Sequence, residues 1–237
     1  MNKFLILSIY FLTTIILTSS VELECQFNVN LDSEYECEVQ DNEIFGNSLV
    51  TITDIDGEHL AGKTNRNVQK LIISNIPKVK FVPKEIGKFF KKLTTLEITN
   101  ANLIKIKQID LQQFLKLKKL ILNDNEIEII EEELFESTPK LEYIDLSNNK
   151  ISLIDPSAFS NLKNLQNLYL VNNTCEFFIK NAENQNDLRD LIEEIENRKC
   201  YAPSSYVATF IVLTVILFVI IALIATIFAE KFILIKK

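Results

Sequence analysis

Apolar residues recur along the middle of the chain at a spacing that belongs neither to a plain amphipathic helix nor to a plain alternating strand. In LKKLILNDNEIEII, residues 117–130, they fall at Leu117, Leu120, Leu122, Ile127 and Ile130, with Asn125 at the ninth place. A helix face would return every three or four residues and a strand face every two. The same frame reappears in LEYIDLSNNKISLI, at Leu141, Ile144, Leu146, Asn149, Ile151 and Ile154. Upstream, LTTLEITNANLIKI holds Leu93, Leu96, Ile98, Leu103 and Ile106 but has Ala101 in the Asn place; downstream, LQNLYLVNNTC holds Leu165, Leu168, Leu170 and Asn173. The units start at residues 93, 117, 141 and 165, a constant step of 24. A degenerate copy starts at Val68, with Leu71 and Ile73, and runs one residue long through Pro77. Five such units predict a quasi-one-dimensional stack in which each coil buries its apolar edge on the next. Within a unit, Leu120-Ile121-Leu122 alternates in, out, in, as a short strand requires.

This frame resembles the leucine-rich repeat signature L-x-x-L-x-L-x-x-N-x-L, which three units match and two approximate over residues 68–175. The resemblance implies an α/β class solenoid, a horseshoe with a single parallel sheet. It also implies that Asn125, Asn149 and Asn173 bond the backbones of neighbouring coils, a role that falls on no residue of the two earlier units. Phe135 and Phe159, also 24 apart, should plug the convex side of the core. Asp155 before Pro156 predicts a capped first turn, so the returns should hold short helical or 3₁₀ turns.

Both ends of the chain add to this picture. Residues 1–20 have a short basic start at Lys3 and an apolar run of about 14 residues, too short to span a bilayer, which needs roughly 20. They predict a secretory signal, with the mature chain starting near Val21. Residues 207–229 carry no charge; as a helix they would span about 34 Å, enough for the hydrocarbon core. The net basic tail with Lys236 and Lys237 fits the cytoplasmic side, and the charged end argues against a lipid-anchor signal. The predicted organisation is a signal peptide (1–20), an N-terminal cap (21–67), five repeats (68–175), a C-terminal cap with a juxtamembrane segment (176–205), one transmembrane helix (206–229) and a cytoplasmic tail (230–237). A plasma-membrane, single-pass, type I protein with its repeats outside follows. Asn172, in the N-x-[ST] sequon Asn172-Asn173-Thr174, is then the candidate glycosylation site.

Four cysteines, Cys25, Cys37, Cys175 and Cys200, bracket the repeats, and four allow three pairings. In a solenoid the two pairs sit at opposite ends, so the resemblance implies local disulfides, Cys25 with Cys37 and Cys175 with Cys200, closing the caps. Zinc is the competing reading, but export places the cysteines in an oxidising compartment and the single histidine, His59, lacks ligand spacing. Terminal coils need polar covers. CQFNVNLDSEYECEV can supply a hairpin-like flap at the amino end. YEC and GEHLAGKTNRNVQKL resemble the opening cap of insect leucine-rich repeat surface proteins. At the carboxyl end Leu188, Leu191, Ile192 and Ile195 stand at helical spacing, which suits a helix over the last coil.

Charge and missing motifs narrow the function. Without the signal and tail charges, the exported part holds 31 acids and 21 bases, net −10, so nucleic acid is an unfavourable partner. The sequence shows no phosphate-binding Gly loop, no G-x-S-x-G and no metal-spaced His pair, and no cofactor is implied. The carboxylates Glu131, Glu132 and Glu133 read as solvated charge on a return. A binding surface is left. Outward strand positions comprise Gln69, Lys70 and Ile72; Thr94, Thr95 and Glu97; Lys118, Lys119 and Ile121; Glu142, Tyr143 and Asp145; Gln166, Asn167 and Tyr169. Tyr143 and Tyr169, beside Glu142, Asp145 and Asn167, form the candidate contact patch for a protein ligand or co-receptor, since aromatics next to charge dominate protein interfaces. Ordinary strand surface would also carry Tyr, through its β propensity. The reading is therefore a non-catalytic recognition or adhesion protein, with a structural or matrix-organising protein lacking a discrete ligand as the alternative. The resemblance to Toll-like receptors extends to the outer domain and the single span.

Overall fold

The computed structural model describes residues 20–40, 51–174 and 182–197 of the 237-residue chain, together with residue 216. The predicted signal before Ser20, both carboxyl-terminal cysteines, the tail and the uncharged run except Ile216 lie outside the described residues. Among the described residues no helix is long and apolar enough to cross a membrane.

The amino cap is built from β1 (Ser20–Val29), β2 (Tyr35–Val39) and β3 (Thr51–Asp56). β1 turns back on β2 as an antiparallel hairpin, with Phe27 opposite Cys37, and pairs in parallel with β3 on its other edge. Asn30 closes the hairpin: its carbonyl accepts the Ser33 amide at 3.0 Å and its side-chain oxygen accepts the Glu34 amide at 2.9 Å. β2 then starts the parallel stack. It pairs with β4 (Lys70–Ser74), which pairs with β5 (Thr95–Thr99), and beyond these come β6 (Lys119–Ile121), β8 (Tyr143–Asp145) and β10 (Asn167–Tyr169). One eight-stranded sheet results, in the order β10-β8-β6-β5-β4-β2-β1-β3.

Registers follow the 24-residue period: Leu71 lies beside Leu96, Leu96 beside Leu120, Leu120 beside Ile144, and Ile144 beside Leu168. All five are wholly buried, as are Val68, Leu117, Leu141 and Leu165 at the unit starts. Each unit enters its strand through the same tight turn. The amides of Val68, Leu93, Leu117, Leu141 and Leu165 donate to carbonyls three residues back, on Asn65, Phe90, Phe114, Thr138 and Leu162.

The returns carry the short helices α1 (Ile86–Phe89) and α2 (Gln108–Leu111) and a 3₁₀ turn at Pro156–Phe159. Asp155 caps that last turn by accepting the Ser157 amide at 2.9 Å, with Pro156 supplying the first residue, whose missing N–H costs nothing there. Phe135 and Phe159 are buried with ring centroids 5.6 Å apart. Gly87 on α1 is obligatory for packing, because a Cβ there would lie 2.5 Å from the Gln113 carbonyl oxygen of the next coil.

Two expectations need correction. The sheet is not single: β7 (Ile129–Ile130) and β9 (Leu153–Ile154) form a second, two-stranded parallel sheet on the return side. It forms because successive returns stay extended just past the Asn position, where Ser152 donates to the Glu128 carbonyl at 3.0 Å and Asp155 to that of Ile130 at 2.9 Å. Thr95 is not surface; it is 2% exposed, with its hydroxyl 3.4 Å from the Glu34 carboxylate of the cap hairpin, which leans over the first coils.

At the other end α3 (Gln185–Asn197) buries Leu188, Leu191 and Ile195 against the last coil, with Ile192 partly covered. Ala182 and Leu168 exchange both backbone hydrogen bonds at 2.9 Å, so the lead-in to α3 covers the edge of β10.

Candidate functional site

The concave side of the sheet carries two long rows. Glu36, Lys70, Thr95, Lys119, Tyr143 and Asn167 are register partners in one, and Glu38, Ile72, Glu97, Ile121, Asp145 and Tyr169 in the other. Parallel strands lie about 4.8 Å apart, so each residue meets the side chains directly beside it and those diagonal to it. Lys70 and Glu97 form a diagonal ion pair at 2.9 Å, and Lys118 pairs with Glu142 at 2.7 Å on the flanking row.

The candidate contact residues sit together on β8 and β10 and their lead-ins. Tyr143 lies beside Asn167, Asp145 beside Tyr169, and the two tyrosine rings approach diagonally, with centroids 5.2 Å apart and planes inclined by 40°. That tilt is a favoured aromatic arrangement. All five residues, Glu142, Tyr143, Asp145, Asn167 and Tyr169, are half-buried. Asp145 is fixed by the Ser147 amide at 2.9 Å and the Ser147 hydroxyl at 2.6 Å. Burial, then the Asp145 carboxylate and Tyr169, push the Tyr143 phenol up to about 12. At neutral pH the patch therefore presents a neutral phenol donor next to a fixed carboxylate.

Beneath this face the side chains of Asn125, Asn149 and Asn173 tie coils together. Asn125 Oδ1 accepts the Ala101 and Leu103 amides at 3.2 and 3.0 Å, and its Nδ2 donates to the Ile98 carbonyl at 2.7 Å. Asn149 accepts from Ile127 at 3.0 Å and donates to Leu122 at 2.9 Å. Asn173 accepts from Ile151 at 2.9 Å and donates to Leu146 at 3.0 Å. Where Ala101 replaces Asn, its own carbonyl accepts the Val79 amide at 3.1 Å instead.

A second row, exposed, was not read from the sequence. Asn75, Asn100, Asp124, Asn148 and Asn172 all have positive φ, between 48° and 59°, a conformation that Asn and Asp tolerate better than other side chains. Asn172 Nδ2 donates to Asn148 Oδ1 at 2.8 Å, and Asn148 Nδ2 to Asp124 Oδ1 at 2.8 Å. Asn100 donates likewise to Asn75 at 2.8 Å. The signal was present as Asn or Asp just before each repeat Asn, at the same period.

In the amino cap, Cys25 and Cys37 form a buried disulfide. Next to it Tyr35 is buried; its hydroxyl lies 2.8 Å from His59 Nδ1 and accepts the Leu60 amide at 3.3 Å, while the His59 ring packs on Phe27 with centroids 3.9 Å apart. Burial raises the Tyr35 phenol, against a lowering from the Leu60 amide. His59 thus works as a packing wedge of the cap.

Comparison with known proteins adds to these observations. The leucine rich repeat family profile matches residues 115–174, the three coils that carry β6, β8 and β10. The match and the coils together support a leucine-rich repeat family. Among curated proteins no sequence matches the chain. A similar solved structure is that of the Toll–Spatzle complex of Drosophila, described as a molecular hub in development and innate immunity, at 19% identity and a TM-score of 0.43. The similarity covers 52% of this chain and 17% of that one, so the chain spans under a fifth of that protein's length.

Proposed function

We propose that the chain is a non-catalytic cell-surface recognition or adhesion protein whose leucine-rich repeats bind a protein ligand or co-receptor on the concave face. The observation behind this reading is the Tyr143–Tyr169 ring pair, 5.2 Å apart and half-buried beside the fixed Asp145 carboxylate. Two preformed aromatic anchors lose little conformational entropy on binding, and such anchors supply most of the energy of protein interfaces. Glu142 and Asn167 complete the patch and favour a partner with a cationic or amide-rich surface. In this reading residues 1–20 direct export, residues 206–229 anchor the chain in the plasma membrane, and Cys175 pairs with Cys200 to close the carboxyl cap.

The test is capture by the full-length chain displayed on intact cells, by surface crosslinking, of a protein partner that the Tyr143→Ala, Tyr169→Ala double variant binds at least tenfold more weakly. Truncated anchors often cost about 2 kcal/mol or more, roughly thirtyfold in affinity. A folded double variant with unchanged binding sinks the concave-face assignment. Protease that spares the repeats on intact cells but removes them after permeabilisation sinks the orientation.

A further inference from the structure

Each of the five tight turns that lead into the repeat strands holds two residues between the carbonyl acceptor and the amide donor of its closing hydrogen bond, and all but Asn67 are exposed. Six of those ten positions are cations: Arg66, Lys91, Lys92, Lys116, Lys140 and Lys163. None is a carboxylate, in a chain of net charge −7. All six cations are exposed, and none forms an ion pair among the described residues. Glu85 and Glu142, a few residues from these turns in the chain, are paired with Lys88 and Lys118 instead. Lys92, Lys116 and Lys140 occupy one place in successive coils. At the parallel-strand spacing of about 4.8 Å the whole ridge runs on the order of 20 Å.

We infer that this ridge, along the edge where the repeat strands begin, is a docking site for a linear acidic polysaccharide such as a sulfated glycan. Unneutralised like charges in line repel one another, and a chain carrying anions along its length removes that repulsion and releases its own counterions. Asn67 and Asn164, on the first and last of these turns, are turned to the protein itself: Asn67 Oδ1 accepts the Thr64 amide at 3.0 Å and Asn164 Nδ2 donates to the Pro139 carbonyl at 3.3 Å, so the cations carry the recognition. The ridge carries no aromatic residue on which bases could stack and no helix that could enter a duplex groove, which disfavours nucleic acid. Its apolar side chains are Leu115 and Pro139, too few for an interfacial lipid anchor.

The experiment uses the full-length protein in detergent, with immobilised heparin as probe at rising salt. The Lys92→Ser, Lys116→Ser, Lys140→Ser variant should bind at least tenfold more weakly, with a shallower salt dependence. A Lys78→Ser, Lys105→Ser, Lys150→Ser variant, which loses the same charge past the strands, should bind as the parent does. Equal loss in both variants, or none in either, overturns the site, as does failure of the parent to bind heparin in low salt. Ridge-dependent binding of oligothymidylate or phosphatidylserine vesicles tighter than that of heparin overturns the partner class. Matching circular dichroism melts exclude misfolding, and the Tyr143→Ala, Tyr169→Ala variant should leave heparin binding unchanged, which separates this surface from the concave one.

Discussion

Asn149 reaches back one coil to accept the Ile127 amide at 3.0 Å, and its Nδ2 donates both to Leu122 of that preceding coil at 2.9 Å and to Leu146 of its own coil at 3.1 Å. The residue is buried, so no water can replace these bonds. Asn149→Leu should strand the Ile127 amide, at about 1–3 kcal/mol for an unsatisfied group, while the Leu122 and Leu146 carbonyls keep the Asn125 and Asn173 side chains as donors. Asn172→Gln, on the exposed row, should cost a few tenths of that. Thermal midpoints measure the difference, and equal midpoints would remove the ladder as a source of stability.

Tyr143 should titrate late. Its phenol is pushed up to about 12 by burial first and by Asp145 and Tyr169 next, against an ordinary value of about 10. A raised phenol stabilises the fold fully below the unfolded value, and that contribution is lost as pH climbs from about 10 through about 12. Absorbance at alkaline pH should show Tyr143 titrating late, alongside the raised Tyr35, and Asp145→Asn should bring the Tyr143 transition down. A Tyr143 titration at the ordinary value would mean that the ring is solvated and the patch open.

Gly57 holds the cap closed. Its φ is +128°, and a Cβ there would stand 2.1 Å from the Cys25 carbonyl oxygen. Gly57→Ala must therefore both strain the backbone and push β3 from β1, with a loss of about 1–3 kcal/mol. Breaking the disulfide, whose cysteines are 12 residues apart, should cost a similar amount through the freed loop, about 2–4 kcal/mol. Protease cutting within residues 20–56 should rise in both variants. Unchanged melting and cutting in Gly57→Ala would show that the close approach relaxes freely.

The stack was legible because its cause is periodic: a residue such as Leu120 must be apolar when Leu96 and Ile144 flank it, so the period in sequence is the contact in space. By the same logic the 24-residue step from Asp145 to Tyr169 makes them neighbours on adjoining strands. What escaped lacked a periodic cause. Thr95 looks like any outward strand residue, and only the placement of Glu34, 61 residues away, buries it. The β7–β9 pairing rests on backbone bonds such as Ser152 to Glu128, which leave no side-chain signature. The exposed Asn row was written in the sequence, but its meaning depends on a positive φ that composition alone does not reveal.

Asn172 closes that exposed row and heads the sequon. Its side chain is exposed, and of the two hydrogens on Nδ2 one is given to Asn148 Oδ1 at 2.8 Å. Glycan transfer replaces a single hydrogen, so the remaining one can keep the bond to Asn148 and the row survives modification. Asn173, next in the chain, points the other way into the coil stack, where it accepts from Ile151 and donates to Leu146. The sugar would thus leave from the edge where the repeat strands end, clear of the Tyr143–Tyr169 pair and opposite the cationic ridge. Protein made in a secreting eukaryotic cell should shift to higher mobility after glycosidase treatment, and both Asn172→Gln and Thr174→Ala should abolish the shift. The thermal midpoint of Thr174→Ala should stay within a degree or two of the parent, since Thr174 is exposed. A parent whose mobility does not change on treatment would show that transfer fails at this edge, either because the cap folds first or because the segment never reaches the transferase.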